Sequence, residues 1–578
     1  METTFFRRPI PLAAILLLAV VVHGPLLLME LPLNTSYDAN LHVFFASHYA
    51  HHWFDPWNEK WFAGFSQTTY PPLAHYWIAI FSYVVGLRMA YMLVQMIAIL
   101  LLVAGVYRFA RLFVSERAAS YAALFTVFLG TVAFLVYSAG QLSTLLSASI
   151  YLLALPYFYQ WSRTAHWRGL VKGVVLILVA ASVHHVTLLF GSFLFALPVL
   201  WLALADRGER SVFAVLGRAV FFAVLAGIGV GVVLLPYWIA ILKHPIEQMP
   251  IPHASRSNFL LNINYAINYF FIPYGAMIVA FPAILWLGSA NRRLRPLLLG
   301  FWVAFLFGLG GTTPIPKWVF GRAFEILTYE RFTLSAAVLA LPIVGLFAEY
   351  LLDRYRSAAV AGLAVCCVLT MGLALGWLAW SPFKTLSSLN VDQVTDFLNR
   401  DGHDKYRYLT LGFGNALPKV STYTTANSVD GEYNSARLLP EMTRYGAAQL
   451  TSAKYFGTAG MESLRAMLKH ANNYGLKFIF VHEPYYEPMV AFAGWRKVET
   501  YDYGSVTVWS KDDVSPARPI QSDAMPAPWE GLLWGTLPLG SSILAILLAL
   551  LFPDRARVRE TVVEFPAPTE EIYAREAR

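Results

Sequence analysis

Apolar stretches of about 20 residues, long enough to span a bilayer at 1.5 Å rise per residue, recur along most of this 578-residue chain. One follows Arg8, and others fall near 89–107, 118–138, 142–161, 171–189, 190–205, 213–240, 270–289, 297–311, 332–351, 358–380 and 531–552. Hydrocarbon is therefore the main solvent. Only 13% of residues are charged, against about 25% in soluble domains, which excludes a string of water-soluble domains. The expected fold class is a polytopic α-helical membrane protein with about 12 transmembrane helices.

Basic residues set the orientation, because Lys and Arg collect in short cytoplasmic loops. Taking Arg7 and Arg8 as cytoplasmic, the alternate loops are basic: Arg108, Arg111 and Arg117; Arg163, Arg168 and Lys172; Arg207 and Arg210; Arg292, Arg293 and Arg295; Arg354 and Arg356; then Arg555, Arg557 and Arg559. This alternation places both termini in the cytoplasm and accounts for the net charge of +8 without nucleic acid as a partner. The segment PPLAHYWIAIFSYVVG at 71–86 is short, carries two prolines and is rich in aromatics, so it reads as an interfacial or re-entrant helix on the external side. Cys366 and Cys367 are adjacent within an apolar run and match neither a disulfide framework nor a zinc spacing.

The chain divides into a transmembrane module, 1–380, with a long external loop at 31–88; an external α/β domain, 381–530; a final span, 531–552; and a cytoplasmic tail, 553–578. Within the α/β domain, YRYLTLGF (406–413), LKFIFVHE (476–483) and GSVTVWSK (504–511) read as strands, and VDQVTDFLNR (391–400) and GMESLRAMLKHANNYG (460–475) as helices.

Chemistry concentrates in the first external loop, which is dense in Trp, Tyr, Phe and His. Asp38 and His42 stand i, i+4 and would share a helix face, so a carboxylate raised by partial burial could act as a general base beside an imidazole. The competing reading makes Asp38 an ordinary helix cap. His48 and His52 are also i, i+4, with His51 beside them, but no third ligand is indicated and an interfacial helix explains them as well as zinc does. His184 and His185 read as polar residues facing the bundle interior. The external loops near 243–260 and 311–331 break the charge rule with Lys243, Arg256, Lys317, Arg322 and Arg331. Arg331 directly precedes a span, at the depth of a lipid phosphate that a guanidinium can hold bidentately; the alternative is snorkelling, or pairing with Glu330 or Glu325. TYDYG at 500–504 reads as a turn, and SVDGEYNSAR at 428–437 as a surface loop with turn chemistry at Asp430-Gly431 that could also contact a glycan.

Three motifs together resemble the glycosyltransferase-C (GT-C) superfamily of membrane enzymes. YDANLH is similar to a D-x-x-x-H form of the family's acidic motif, PWNEKWFAGFSQTTYPPLAHYW to the P-x-W…G…YPPL-x-x-Y stretch that follows, and TYERF at 328–332 to the P-x-R-F element of a bacterial membrane family labelled 6-pyruvoyl-tetrahydropterin synthase-related, although nothing in the chain points to pterin chemistry. The resemblance covers residues 1–350 and the α/β domain only loosely. It implies a GT-C-like fold and a glycosyltransferase that moves a sugar, hexosyl or pentosyl, from a polyprenyl-phosphate donor to a hydroxyl of a cell-envelope glycan, lipid or protein acceptor on the external face, with inversion. Carried over to matching positions, Asp38 becomes the catalytic base and Arg331 a ligand of the donor phosphate. Around them, His42 is expected beside the base, Arg256 and Lys317 beside the phosphate, and Tyr70, Glu330 and His253 as substrate-binding residues. The chain departs from the family in having a single acid where others show Asp-Glu or Asp-x-Asp, and Tyr70 where some relatives carry a lysine. No motif fixes a metal site or a cofactor, and a divalent metal stays open. The rival reading is a non-enzymatic lipid or solute transporter or flippase, which would call for broken helices in internal pseudo-symmetry.

Overall fold

A computed structural model describes residues 8–245, 249–383 and 385–553. Arg7 and almost all of the expected tail, from 554 onward, lie outside them.

Among the described residues nine helical stretches are long and apolar enough to cross a membrane: Leu87–Ala110, Glu116–Ala139, Leu142–Thr164, Trp167–Ala205, Val212–Val233, Ile263–Ala290, Glu330–Tyr355, Ser357–Trp380 and Pro528–Leu551. Three shorter apolar helices accompany them, Leu12–Leu28, Leu73–Val85 and Arg295–Gly308. The protein is a multi-pass membrane protein. The count differs from the expected 12 partly because two expected spans are fused into one 39-residue run, Trp167–Ala205. That run reverses direction. Its start packs Gly169 against Tyr157 and Gln160, and just past its end Asp206 accepts from the Tyr159 hydroxyl at 2.6 Å, so both ends meet the same end of Leu142–Thr164. The reversal is at His184, whose backbone leaves helical geometry (φ −162°, ψ 98°), a few residues before the boundary expected between the spans 171–189 and 190–205.

Residues 381–530 contain the α/β domain, built on a four-stranded sheet in the order Arg407–Leu411, Leu476–Val481, Val506–Ser510, Arg496–Tyr501. The first pair is parallel and the other two antiparallel. Three strands match the sequence reading. The fourth, RKVETY, is a charged, largely exposed edge strand, a composition that keeps an edge from pairing with other chains and that hides it from a search for apolar alternation. TYDYG ends that strand with Thr500 and Tyr501 and makes a tight turn over Asp502–Gly504, with φ positive at Asp502 and Tyr503.

Aromatics join this domain to the first loop of the membrane module. Trp61 is fully buried, stacks on Phe44 with centroids 4.0 Å apart and donates from Nε1 to Ser421 Oγ at 2.7 Å. Burial of an indole of this size stabilises the junction by about 4 kcal/mol. Lys60 Nζ donates to the carbonyls of Thr424 and Thr425 at 2.7 and 2.8 Å. The last helix closes the other side, where Trp534 Nε1 donates to the Tyr49 hydroxyl at 3.0 Å and the Tyr76 hydroxyl donates to the Trp534 carbonyl at 3.1 Å.

Candidate functional site

Asp38 precedes the helix Ala39–His51, but its side chain makes no capping hydrogen bond and its backbone is already αR (φ −99°, ψ −7°). The capping role is therefore excluded. The backbone is held from behind instead: Tyr37 N–H donates to the Ser138 carbonyl at 3.1 Å and Asp38 N–H to the Ala139 carbonyl at 3.0 Å. Ser36 is gripped from the α/β domain, its carbonyl accepting from Asn415 Nδ2 at 3.1 Å and from Ser387 Oγ. The carboxylate is left without a hydrogen bond or ion pair among the described residues, and part of Asp38 stays open to solvent. Burial pushes the Asp38 carboxyl up to about 7, with the charge of Glu330 adding and that of Arg331 opposing. Residues separated by most of the membrane module thus act on one acid.

The segment that holds Asp38 also holds Glu330. Phe134–Ala139 is a π-helical turn, a form that recurs at functional sites; it ends at Gly140 with φ +73°. Next in sequence, Gln141 donates from Nε2 to Glu330 Oε1 at 2.6 Å. Glu330 is 3% exposed and its Oε2 has no partner. Arg331 bonds Thr328 Oγ1 from one terminal nitrogen at 2.9 Å, its Nε is buried without a partner, and it makes no salt bridge within 4.0 Å among the described residues. The expected alternative, pairing with Glu330 or Glu325, is not found. Arg331 borders a small hollow of about 30 Å³ with Thr144, Tyr151 and Thr187.

His42 is not a direct partner of the Asp38 carboxylate, and the expectation that the two work side by side is corrected. Its Nδ1 lies 3.0 Å from His75 Nε2, the Gly140 carbonyl also bonds the ring, and burial lowers it to about 4. The i, i+4 spacing fails because Asp38 sits at the helix mouth while the His42 ring turns toward Leu73–Val85. Tyr70 lies at the centre of the cluster: its ring is 6.3 Å from His42, 6.0 Å from His184 and 5.8 Å from Tyr433. Burial drives its hydroxyl up to about 12, with Asp38 adding and Arg331 opposing.

His253 bonds Ser255 Oγ at 2.8 Å; burial lowers the imidazole, Glu330 opposes this, and Arg256 and Arg331 reinforce it. Ser255 Oγ accepts from Tyr329 N–H at 3.1 Å, which ties this loop to the start of Glu330–Tyr355. Arg256 donates from Nε to the Leu327 carbonyl at 2.9 Å and to the Ile251 carbonyl as well, so much of its guanidinium is committed to the loop. Lys317 is exposed on the short helix Ile315–Phe320 and makes no ion pair among the described residues. Lys243, another exception to the charge rule, pairs with Glu530 at 2.7 Å. His48 and His52 stack at 5.1 Å, and among the described residues no three His, Cys, Asp or Glu gather to hold a metal ion.

Sequence reasoning missed Gln141 and Glu432. Gln141 falls in the short gap between the spans expected at 118–138 and 142–161, where no motif marks it. Glu432 belongs to SVDGEYNSAR, whose composition suggests surface; Asp430 in that loop is instead 0% exposed, its carboxylate accepting from the N–H groups of Leu450 and Thr451.

This arrangement can be set against known proteins. ArnT from Cupriavidus metallidurans in the apo state matches with TM-score 0.56 and 13% identity over 86% of this chain and 98% of that one. The same protein bound to undecaprenyl phosphate gives 0.54 and 13% over 86% and 99%. The chain shares their fold. The arabinofuranosyltransferase AftD from Mycobacteria matches with TM-score 0.56 and 13% identity over 87% of this chain and 40% of that one. No family model and no curated protein sequence matches.

Proposed function

We propose that the protein is an integral membrane glycosyltransferase that moves a sugar from a polyprenyl-phosphate donor to a hydroxyl of a cell-envelope glycan, lipid or protein on the external face. The observation that carries this reading is the electrostatic coupling of Asp38 and Arg331: an unpaired carboxyl held up to about 7 lies within reach of a guanidinium that has no ion pair among the described residues. A charge left unpaired and half-buried is costly unless a ligand completes it. The fold is also that of ArnT, whose solved structure holds undecaprenyl phosphate.

In this mechanism the acceptor hydroxyl gives its proton to Asp38 as its oxygen attacks the anomeric carbon. The bond from that carbon to the phosphate oxygen breaks, and its electron pair leaves with the carrier phosphate, so the sugar inverts. Negative charge grows on the departing phosphate, where Arg331 stabilises it. Arg256 shapes the loop around that phosphate and Lys317 takes no part. His42 and Tyr70 act by packing, as the wall that keeps Asp38 desolvated.

The test is to incubate the purified chain in nanodiscs with radiolabelled decaprenyl- and undecaprenyl-phosphate sugars and assay released carrier phosphate. Release that disappears in Asp38→Asn supports the reading. No release from any donor, with labelled lipid or solute crossing a vesicle containing the protein, would replace it by the transporter reading.

A further inference from the structure

Residues 428–434 carry the α/β domain onto the first loop of the membrane module, and each residue of this loop but one is spent on holding it there. Ser428 N–H donates to the Lys60 carbonyl at 2.8 Å, and the Ser428 carbonyl accepts from Ala63 N–H at 3.3 Å. Val429 is buried, and its N–H donates to the Tyr408 carbonyl at 3.2 Å. Asp430 is committed to two backbone amides. Gly431 lies so close to Trp61 that a Cβ would stand 2.8 Å from the indole. The Tyr433 hydroxyl donates to the Thr69 carbonyl at 2.7 Å, and its ring meets Tyr70 at 5.8 Å and Phe45 at 5.6 Å. Asn434 is buried and its carbonyl accepts from Arg437. Glu432 is the exception. Its carboxyl has no hydrogen bond or ion pair among the described residues, it stays partly open to solvent, and it lies within electrostatic reach of Asp38 and Asp430. Glu330, whose charge also acts on Asp38, is 3% exposed with Oε2 unpartnered. The half-buried rings of Tyr70 and Tyr433 meet edge to face at 5.8 Å, and the ring of Tyr37, next to Asp38 in the chain, is exposed.

We infer that Glu432 is a positioning residue for the acceptor: its carboxyl hydrogen-bonds a hydroxyl beside the one that Asp38 deprotonates, and the pair selects an uncharged or cationic saccharide over an anionic one. The inference rests on the glycosyl-transfer reading. Two carboxyls brought close together share a proton instead of both ionising. Burial, helped by Asp38 and Asp430, holds Glu432 well above the carboxylate range, so it keeps the proton and both donates and accepts hydrogen bonds, while Asp38 is left as the base. The pair retains about one negative charge, which opposes an acceptor that brings a carboxylate or phosphate of its own. Aromatic faces receive the C–H groups of a sugar ring, and the polar carboxyl fixes its orientation.

The test uses the full chain in nanodiscs and dicyclohexylcarbodiimide, which modifies protonated carboxyls, with the sites of modification mapped by mass spectrometry. Hexyl β-glucoside, hexyl β-glucosaminide and hexyl β-glucuronide serve as saccharide probes. The first two should protect Asp38 and Glu432 at concentrations about 10-fold below those needed for the glucuronide, the discrimination expected of one opposed charge. Glu432→Ala should lose the protection of Asp38, and Glu432→Gln, which keeps a donor and an acceptor of the same shape, should retain most of it. Equal protection by the glucuronide, undiminished protection in Glu432→Ala, or no protection by any probe overturns the inference. The two readings fail separately. Donor turnover with an unchanged acceptor KM in Glu432→Ala removes this role for Glu432 and leaves glycosyl transfer standing, whereas the expected protection pattern without cleavage of any donor removes glycosyl transfer and leaves the saccharide site.

Discussion

Asp38 and Glu330 hang from one short piece of backbone. The Ala139 carbonyl accepts the Asp38 N–H at 3.0 Å, and two residues later Gln141 donates to Glu330 at 2.6 Å. Because Arg331 follows Glu330, the π-helical turn Phe134–Ala139 acts as the common mount for the acid and, through Glu330, for the guanidinium. A mount of this kind makes the charges of Asp38, Glu330 and Arg331 mutually dependent.

Asp38→Asn should lower turnover by about 10²–10⁴, the range for loss of a positioned base, while making the fold more stable in alkali. The carboxyl titrates near 3.8 when free and at about 7 in the folded chain, so Asp38 favours folding fully only below its free value. That contribution is lost as pH rises through 7. Melting followed by tryptophan fluorescence should place the variant above wild type at pH 8 and level with it at pH 4. A variant no more stable than wild type at pH 8 would contradict the raised titration.

How much of this was legible in the sequence depends on whether a signal was local. The spans, three of the four strands and Asp38 itself carry their pattern within a few residues, through apolar length, alternation and an isolated acid in an aromatic loop. His42 misled because helical spacing says nothing about which way a ring turns, and the decisive partner, His75, sits on another helix. Glu432 was hidden for a different reason. Its loop has the composition of a surface turn, and only docking against Trp61 and Tyr70 buries it. The reversal at His184 likewise falls inside a continuous apolar run, where hydropathy has nothing to mark it.

The rate should also carry the sign of the charges around Asp38. With an ionised carboxylate required and its titration at about 7, kcat/KM should fall about tenfold per pH unit below that point. Glu330 raises Asp38, so Glu330→Gln should move this acid limb to lower pH, by about one unit. Initial rates from pH 5 to 9 decide the matter. A limb that stays in place would mean that a different group titrates.

Arg331 and Lys317 should respond oppositely to substitution. Arg331→Gln removes a cation near Asp38 that has no ion pair among the described residues, and should cost about 10²–10³ in turnover, as loss of a charge-stabilising donor does. Arg331→Lys should recover only part of this, since an ammonium replaces a planar fork by a point charge. Lys317→Ala, at an exposed position, should leave turnover within about twofold. Steady-state rates on the same donor compare all three, and a defect in Lys317→Ala matching that of Arg331→Gln would restore the role first expected of it.

Gly140 offers the test of the mount itself. Its φ of +73° is strained for any residue with a Cβ, and that Cβ would lie 2.5 Å from Ser36 Oγ, 2.6 Å from Ala39 N and 2.9 Å from Asp38 N. Two of these are backbone atoms that cannot rotate away, so Gly140→Ala must push the Asp38 backbone off the Ala139 carbonyl. Left-handed strain alone costs about 1–2 kcal/mol, modest for a protein of this size. A displacement of about 1 Å at a positioned base costs on the order of 10²-fold in rate. The variant should therefore assemble in the membrane and melt within a few degrees of wild type, yet lose most of its turnover. It should also lose part of the upward shift of Asp38, because the carboxyl leaves its buried setting. Rates and melting temperatures measured on the same preparation separate the two effects. Activity that falls only in proportion to the folded fraction would show that Gly140 supports the fold without placing Asp38.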